Sequence, residues 1–220
     1  MVPDGSIANL LDSRSPGDNP DSLLFDHNGR PLWTGGLEGA ASAKNSISFG
    51  TLTNGRIARA QTNFYTFTAS SNDVISVALL RTNGTGIPYL YLKDPDQLLV
   101  FANNDGPSLA WVHGQRLTKT GTYTFEVVAG DRVSSFDYLL SLTKVGCGVN
   151  QREEGDGEEA LVYGPITNGY IGPADMDTYC FTAKSNDVIS VALLDTNRNG
   201  TIYPNLFLYD PMGNLLFLNN

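Results

Sequence analysis

The sequence predicts an all-β protein made of tandem antiparallel β-sandwich modules of a jelly-roll-like kind, and three observations predict it. A ten-residue stretch, Ser71 to Leu80, recurs without change as Ser185 to Leu194. Within it Ile75, Val77 and Leu79 alternate with Val74, Ser76 and Ala78, the period of a strand. Gly, Asn, Asp and Pro then punctuate the chain at short intervals, as at Asn83-Gly84, Asp94-Pro95, Asn104-Asp105-Gly106 and Thr120-Gly121. Neither repeat nor flanks contain an amphipathic helical pattern.

The repeat extends beyond the identical stretch. Asp187 follows Asp73 by 114 residues, and the same offset relates Thr53-Asn54-Gly55 to Thr167-Asn168-Gly169, Tyr65 to Tyr179, and Phe67-Thr68-Ala69 to Phe181-Thr182-Ala183. Past the loop the offset becomes 116, which pairs Asp94-Pro95 with Asp210-Pro211 and Phe101 with Phe217. A two-residue loop insertion accounts for the change. Strands are expected at 63–69, 71–80, 89–93, 98–102, 109–113, 122–128 and 136–143 in the first copy, with Ile189, Val191 and Leu193 of the second buried like Ile75, Val77 and Leu79.

Four segments follow from this spacing: an N-terminal extension over 1–45, a first sandwich over 46–144, an acidic Gly-rich linker over 145–159, and a second copy over 160–220. The extension includes two strand-like stretches, 21–26 and 31–33. Asn220 corresponds to Asn104, so residues 160–220 hold no counterpart of the strands expected over 109–143. Those strands are expected to come from a continuation of the chain, from a neighbouring subunit, or from residues 1–45, in that order of preference.

Composition excludes several function classes. Lys and Arg number 14 against 23 Asp and Glu, a net charge of −9, so nucleic acid is repelled. No apolar run approaches the ~20 residues of a membrane-spanning helix. His27 and His113 are the only histidines, with no nucleophile elbow or metal spacing around them, so no enzyme activity is expected. Cys147 and Cys180 allow one disulfide, two half-buried thiols being the alternative; the link is expected in an oxidising compartment. Tyr89, Tyr91, Trp111 and Tyr123 are candidates for a flat stacking surface toward sugar or protein. Asn83 and Asn199 each begin a glycosylation sequon in equivalent loops, which the turn chemistry of Asn-Gly also explains. The segment Asp195 to Thr201 imitates an EF-hand start, but Leu206 stands where a bidentate Glu is required, and a plain turn is expected.

The order Asn-Gly-x-Ile at 54–57, Tyr-x-Phe-Thr-Ala at 65–69, Asn-Asp-Val-Ile-Ser-Val at 72–77, Leu-Tyr-Leu-x-Asp-Pro at 90–95 and Gly-Thr-Tyr-Thr-Phe-Glu-Val at 121–127 resembles the bacterial pre-peptidase C-terminal domain family. Collagen-binding domains of clostridial collagenases belong to it. The resemblance covers Ile47 to Leu142 and Leu161 to Asn220. It implies a jelly-roll-like sandwich without catalytic activity that accompanies secreted or surface proteins, so an extracellular or cell-surface location is expected. The expected function is an accessory binding module for an extracellular polymer or protein. A structural subunit that assembles with identical subunits by strand complementation, giving a filament or surface layer, is the alternative. The resemblance also implies calcium binding in the second copy through Glu154, Asp156, Asp175 and Asp177. The first copy has Gln61 and Asn63 at the last two positions. A solvated acidic spacer is the other reading of the linker acids.

Overall fold

The computed structural model describes residues 44–151, 159–196 and 205–219. The stretches 21–26 and 31–33, His27, Glu154, Asp156 and Asn199 lie outside the described residues. What is described is all-β, with eleven strands: β1 Lys44–Ser46, β2 Thr51–Ile57, β3 Thr62–Ala69, β4 Val74–Gly84, β5 Pro88–Lys93, β6 Leu99–Asn103, β7 Leu109–Arg116, β8 Gly121–Ala129, β9 Phe136–Lys144, β10 Leu206–Tyr209 and β11 Leu215–Asn219. Among the described residues no helix is long and apolar enough to cross a membrane.

Two sheets enclose the first core. One has the order β1-β3-β8-β5-β6, the other β2-β9-β4-β7, and all pairings are antiparallel except β1 with β3. Alternation sends Tyr65, Phe67, Leu90, Leu92, Tyr123, Phe125 and Val127 inward from the first sheet. Ile57, Ile75, Val77, Leu79, Tyr138, Leu140 and Leu142 meet them from the second. Rings of Phe67 stack on Tyr123 and Phe125 at 5.6 and 5.1 Å between centroids.

Strand β2 contains Asn54-Gly55, a dipeptide that reads as a turn, yet it pairs along its whole length with β9. The reason is a close approach: a Cβ on Gly55 would stand 2.3 Å from Cζ of Tyr138. The glycine is there to admit the ring. At the start of β4 the structure departs from the expected span, because Ser71 to Asp73 form a turn and the strand begins at Val74. Asn72 takes φ 73°, and Asp73 Oδ2 accepts from the Ser70 amide at 2.9 Å, a side-chain turn in competition with the ladder.

The second copy reproduces these local turns. Asp187 Oδ2 accepts from the Lys184 amide at 2.7 Å and Asn186 takes φ 70°, as Asp73 and Asn72 do. Ala174 takes φ 63° where Ala60 takes 58°. Asp210 accepts from the amides of Met212 and Asn214, as Asp94 does from Asp96 and Leu98. The ladders are different. Residues 185–194 form no strand, Ile189 is half-buried, and Val191 and Leu193 are 50% and 46% exposed. Their burial was expected from the repeat, and the first copy explains the difference. There β4 lies between β9 and β7, whereas among the described residues 185–194 pair with no strand.

Asp94 is buried, and its hydrogen bond from Lys119 holds its carboxyl below the ordinary carboxylate range, with the amides of Leu98 and Asp96 adding to the effect. A depressed folded pKa contributes stability above the unfolded value of about 3.9 and loses it as pH falls through the folded value. The stabilisation from Asp94 is therefore expected to be present at pH 7 and to disappear in acid below pH ~4. Thermal melts of Asp94→Asn and the parent from pH 7 to 2.5 check this, the two curves converging in acid.

Candidate functional site

The outer face of the β2-β9-β4-β7 sheet is small and polar near its centre, where Ser76 and Ala78 of β4 lie beside Thr143 and Ser141 of β9. Trp111 of β7 extends the row through Ala78. Opposite Ser76 the ladder is irregular between Ile75 and Val77, and Gly114 enters at φ 67°, its amide donating to Ser76 Oγ at 3.2 Å. A Cβ there would meet the Tyr209 hydroxyl at 3.2 Å. The hairpin of β10 and β11 covers this face. Phe207 packs edge-on to Trp111 at 5.4 Å and against His113 at 4.8 Å. Arg116 holds the hairpin turn, Nη2 donating to the Met212 carbonyl at 2.8 Å and to Asn214 Oδ1 at 3.1 Å. Burial raises the pKa of the Tyr209 phenol above its ordinary value. Trp111 Nε1, Ser141 Oγ and the Tyr209 hydroxyl on this face, and Asn103 Oδ1 elsewhere, are the side-chain atoms buried without a hydrogen-bond partner among the described residues.

The four aromatic candidates separate. Tyr89 and Tyr91 leave β5 on the outer face of the first sheet, rings stacked at 6.2 Å and 25°. Strand register puts Phe64, Glu126, Tyr91 and Ala102 in one row across that face, with the Lys93–Glu126 ion pair beside the rings. Trp111 lies on the other sheet under the hairpin. Tyr123, expected on the stacking surface, is instead 1% exposed and belongs to the core: on β8 the odd positions Tyr123, Phe125 and Val127 face inward, and its hydroxyl bonds the backbone of Lys119. Sequence reasoning missed Phe64, whose signal was its place just before the inward Tyr65. It also took His113 for a strand end, whereas β7 continues to Arg116.

At the junction of the copies Cys147 and Cys180 form a disulfide, with 5.8 Å between Cα atoms. Cys180 also makes a parallel bridge to Ala160. Asn150 joins the copies, its side chain bonding both the amide and the carbonyl of Lys144 and donating to Thr178 Oγ1 at 3.3 Å. Asp175 Oδ2 accepts from the Gly172 amide at 3.1 Å and Oδ1 from Met176 at 2.7 Å, the first bond repeating that of Gln61 Oε1 with Ala58. Asp177 Oδ2 accepts from the Tyr179 hydroxyl at 3.4 Å. Asp175 thus already serves a turn that its neutral counterpart also makes. Among the described residues no group of three or more His, Cys, Asp or Glu side chains gathers to hold a metal; Glu154 and Asp156 lie outside them.

No known protein-family description matches the chain, and no curated protein matches it. Among solved structures, the pre-peptidase C-terminal domain of a collagenase from Bacillus anthracis is similar at 22% identity and TM-score 0.40, over 46% of this chain and 96% of that one. PliG of Aeromonas hydrophila, a periplasmic inhibitor of g-type lysozyme, is similar at 16% identity and TM-score 0.38, over 46% and 95%. PliG of Salmonella Typhimurium, with the same description, is similar at 17% identity and TM-score 0.33, over 46% and 99%.

Proposed function

We propose that this chain is a non-catalytic binding module of a secreted or surface protein, contacting an extracellular polymer or protein through the outer face of the β1-β3-β8-β5-β6 sheet. The observation that carries the reading is the stacked pair Tyr89 and Tyr91, aligned with Phe64 and framed by Lys93 and Glu126. Flat rings beside fixed charges suit a sugar ring or an extended protein segment, since aromatic faces bury large area at low entropic cost. The disulfide suits an oxidising compartment and so an extracellular or periplasmic setting. In this reading His113, packed on Trp111 and Phe207, is an interface residue and not a catalytic base.

Retention on immobilised collagen and on insoluble polysaccharides tests it. Tyr89→Ala with Tyr91→Ala is expected to lower retention on one of these at least tenfold, about 1.4 kcal/mol, with the melting temperature nearly unchanged. Equal retention by parent and variant would turn the reading down.

Calcium binding through Glu154, Asp156, Asp175 and Asp177 belongs to the same proposal. Titration calorimetry of the metal-free protein is expected to show heat at millimolar calcium that Asp177→Ala removes. A flat titration of the parent removes calcium from the reading.

A second reading, a structural subunit assembled by strand complementation, is supported by the exposure of Val188, Val191, Leu193, Leu216 and Phe217 in the second copy.

A further inference from the structure

An asparagine followed by glycine carries a reaction of its own. The glycine amide nitrogen, once water or hydroxide has taken its proton, attacks the carbon of the side-chain carboxamide, and glycine has no Cβ to obstruct the approach. Two such pairs flank the same point of β9: Gly55 of β2 faces Tyr138, and Gly84 of β4 faces Phe136. They are held in different ways. Asn54-Gly55 lies inside an unbroken β2–β9 register, and the Tyr138 ring fills the space beside Gly55, so the backbone there has no room to swing.

Asn83-Gly84 lies past the irregularity of the β4–β9 ladder between Arg81 and Asn83. The Thr85 amide donates to the Ser135 carbonyl beside β9 at 3.1 Å. By alternation the Gly84 amide points to the opposite edge of β4, where β7 pairs no further than Leu80. Its bond there is to Asn83 Oδ1, at 2.8 Å. The carboxamide is thus folded over the nitrogen that attacks it. Its other end is held as well: Nδ2 donates to Asp137 Oδ2 at 3.2 Å, and Asp137 Oδ1 accepts from Arg56 Nη1 at 3.3 Å. Gly84 takes φ 87°, and a Cβ on it would stand 2.5 Å from the Ser135 carbonyl oxygen, so the position requires glycine. Both residues are exposed, and water reaches the reacting bond.

We propose that Asn83 is a self-modification site, converting to aspartate and isoaspartate in the folded protein, while Asn54 is protected by its strand. In the first step a bond forms between Gly84 N and Asn83 Cγ, the Cγ–Nδ2 bond breaks, and the departing nitrogen takes a proton from water and leaves as ammonia. Water then opens the five-membered imide at either carbonyl. The net change is amide and water to carboxylic acid and ammonia, with no oxidant or reductant. The product sets a carboxylate opposite that of Asp137, its register partner, with Arg56 as the cation of the same row. Like charges directly opposite weaken a strand pair, so the conversion loosens the end of the β4–β9 ladder.

The test incubates the full chain at neutral to mildly alkaline pH, folded and in parallel in concentrated urea. Tryptic peptides 82–93 and 45–56, which separate the two asparagines, are then followed by mass spectrometry, with fragmentation placing the exchange of NH2 for OH. In urea both asparagines are expected to convert at similar rates, because only local sequence acts. In the folded protein Asn83 is expected to stay within about threefold of its urea rate, whereas Asn54 slows roughly tenfold or more because its reaction awaits local opening of β2. An Asn83 rate that falls on folding as far as that of Asn54 overturns the proposal. Equal folded rates at the two positions, with neither slowed, overturn the protection assigned to β2.

Discussion

Leu79→Ala is expected to destabilise the protein by about 2 to 5 kcal/mol, whereas Leu193→Ala, the same change within the same ten-residue sequence, is expected to shift stability by less than about 0.5 kcal/mol. Leu79 is fully buried between the two sheets, paired across β4 with Leu140 and Ala110. Removing its side chain forfeits apolar burial and leaves a cavity in a packed core. Leu193 is 46% exposed and has no ladder partner among the described residues, so its truncation mostly returns surface to water. Urea unfolding of the two variants, followed by tyrosine and tryptophan fluorescence, measures both numbers. Equal losses would mean that the second decapeptide is as well packed as the first.

Tyr138→Ala carries the second large effect, about 3 to 5 kcal/mol for the lost ring, and Tyr138→Phe is expected to cost about 1 to 3 kcal/mol through the hydroxyl alone. The ring fills the space left by Gly55 and meets Tyr65 edge-on at 6.5 Å. Its hydroxyl shares a 2.7 Å hydrogen bond with the Tyr65 hydroxyl and accepts from Asn63 Nδ2 at 2.8 Å. Phenylalanine keeps the packing and orphans the buried Tyr65 hydroxyl. Burial, followed by the Tyr65 hydrogen bond, pushes the Tyr138 phenol well above its ordinary value of about 10. A folded pKa raised in this way contributes stability that is present below the unfolded pKa and is lost as pH rises above it. Parent stability is therefore expected to fall above pH ~10, and Tyr138→Phe to fall less steeply there. Parallel alkaline slopes for the two proteins would remove Tyr138 from the account.

The candidate surfaces were only partly legible in the sequence. Tyr89 and Tyr91 are two apart on a strand, so their common face followed from period two. Placing Tyr123 with them failed because alternation does not say which face is inward; the partner sheet decides that. The seat of Phe207 on Trp111 and His113 spans about a hundred residues of chain and depends on the bulge at Gly114, which no local pattern announces. The acids Asp175 and Asp177 stood out by charge, yet Asp175 makes the same turn bond as the neutral Gln61.

The repeated sequence is the clearest measure of what local chemistry settles and what it leaves to the fold. Asp73 and Asp187, Asn72 and Asn186, Asp94 and Asp210 adopt the same turns in both copies. Those bonds close over two to four residues and need nothing distant. By itself, therefore, the sequence determined the all-β class, the turns, the strand period and the recurrence of the decapeptide. Whether Ser-Asn-Asp-Val-Ile-Ser-Val-Ala-Leu-Leu became a central strand or an exposed segment was decided only by tertiary structure. A strand has half of its hydrogen bonds and most of its apolar cover in other strands, and only the first copy has β7 and β9 beside it.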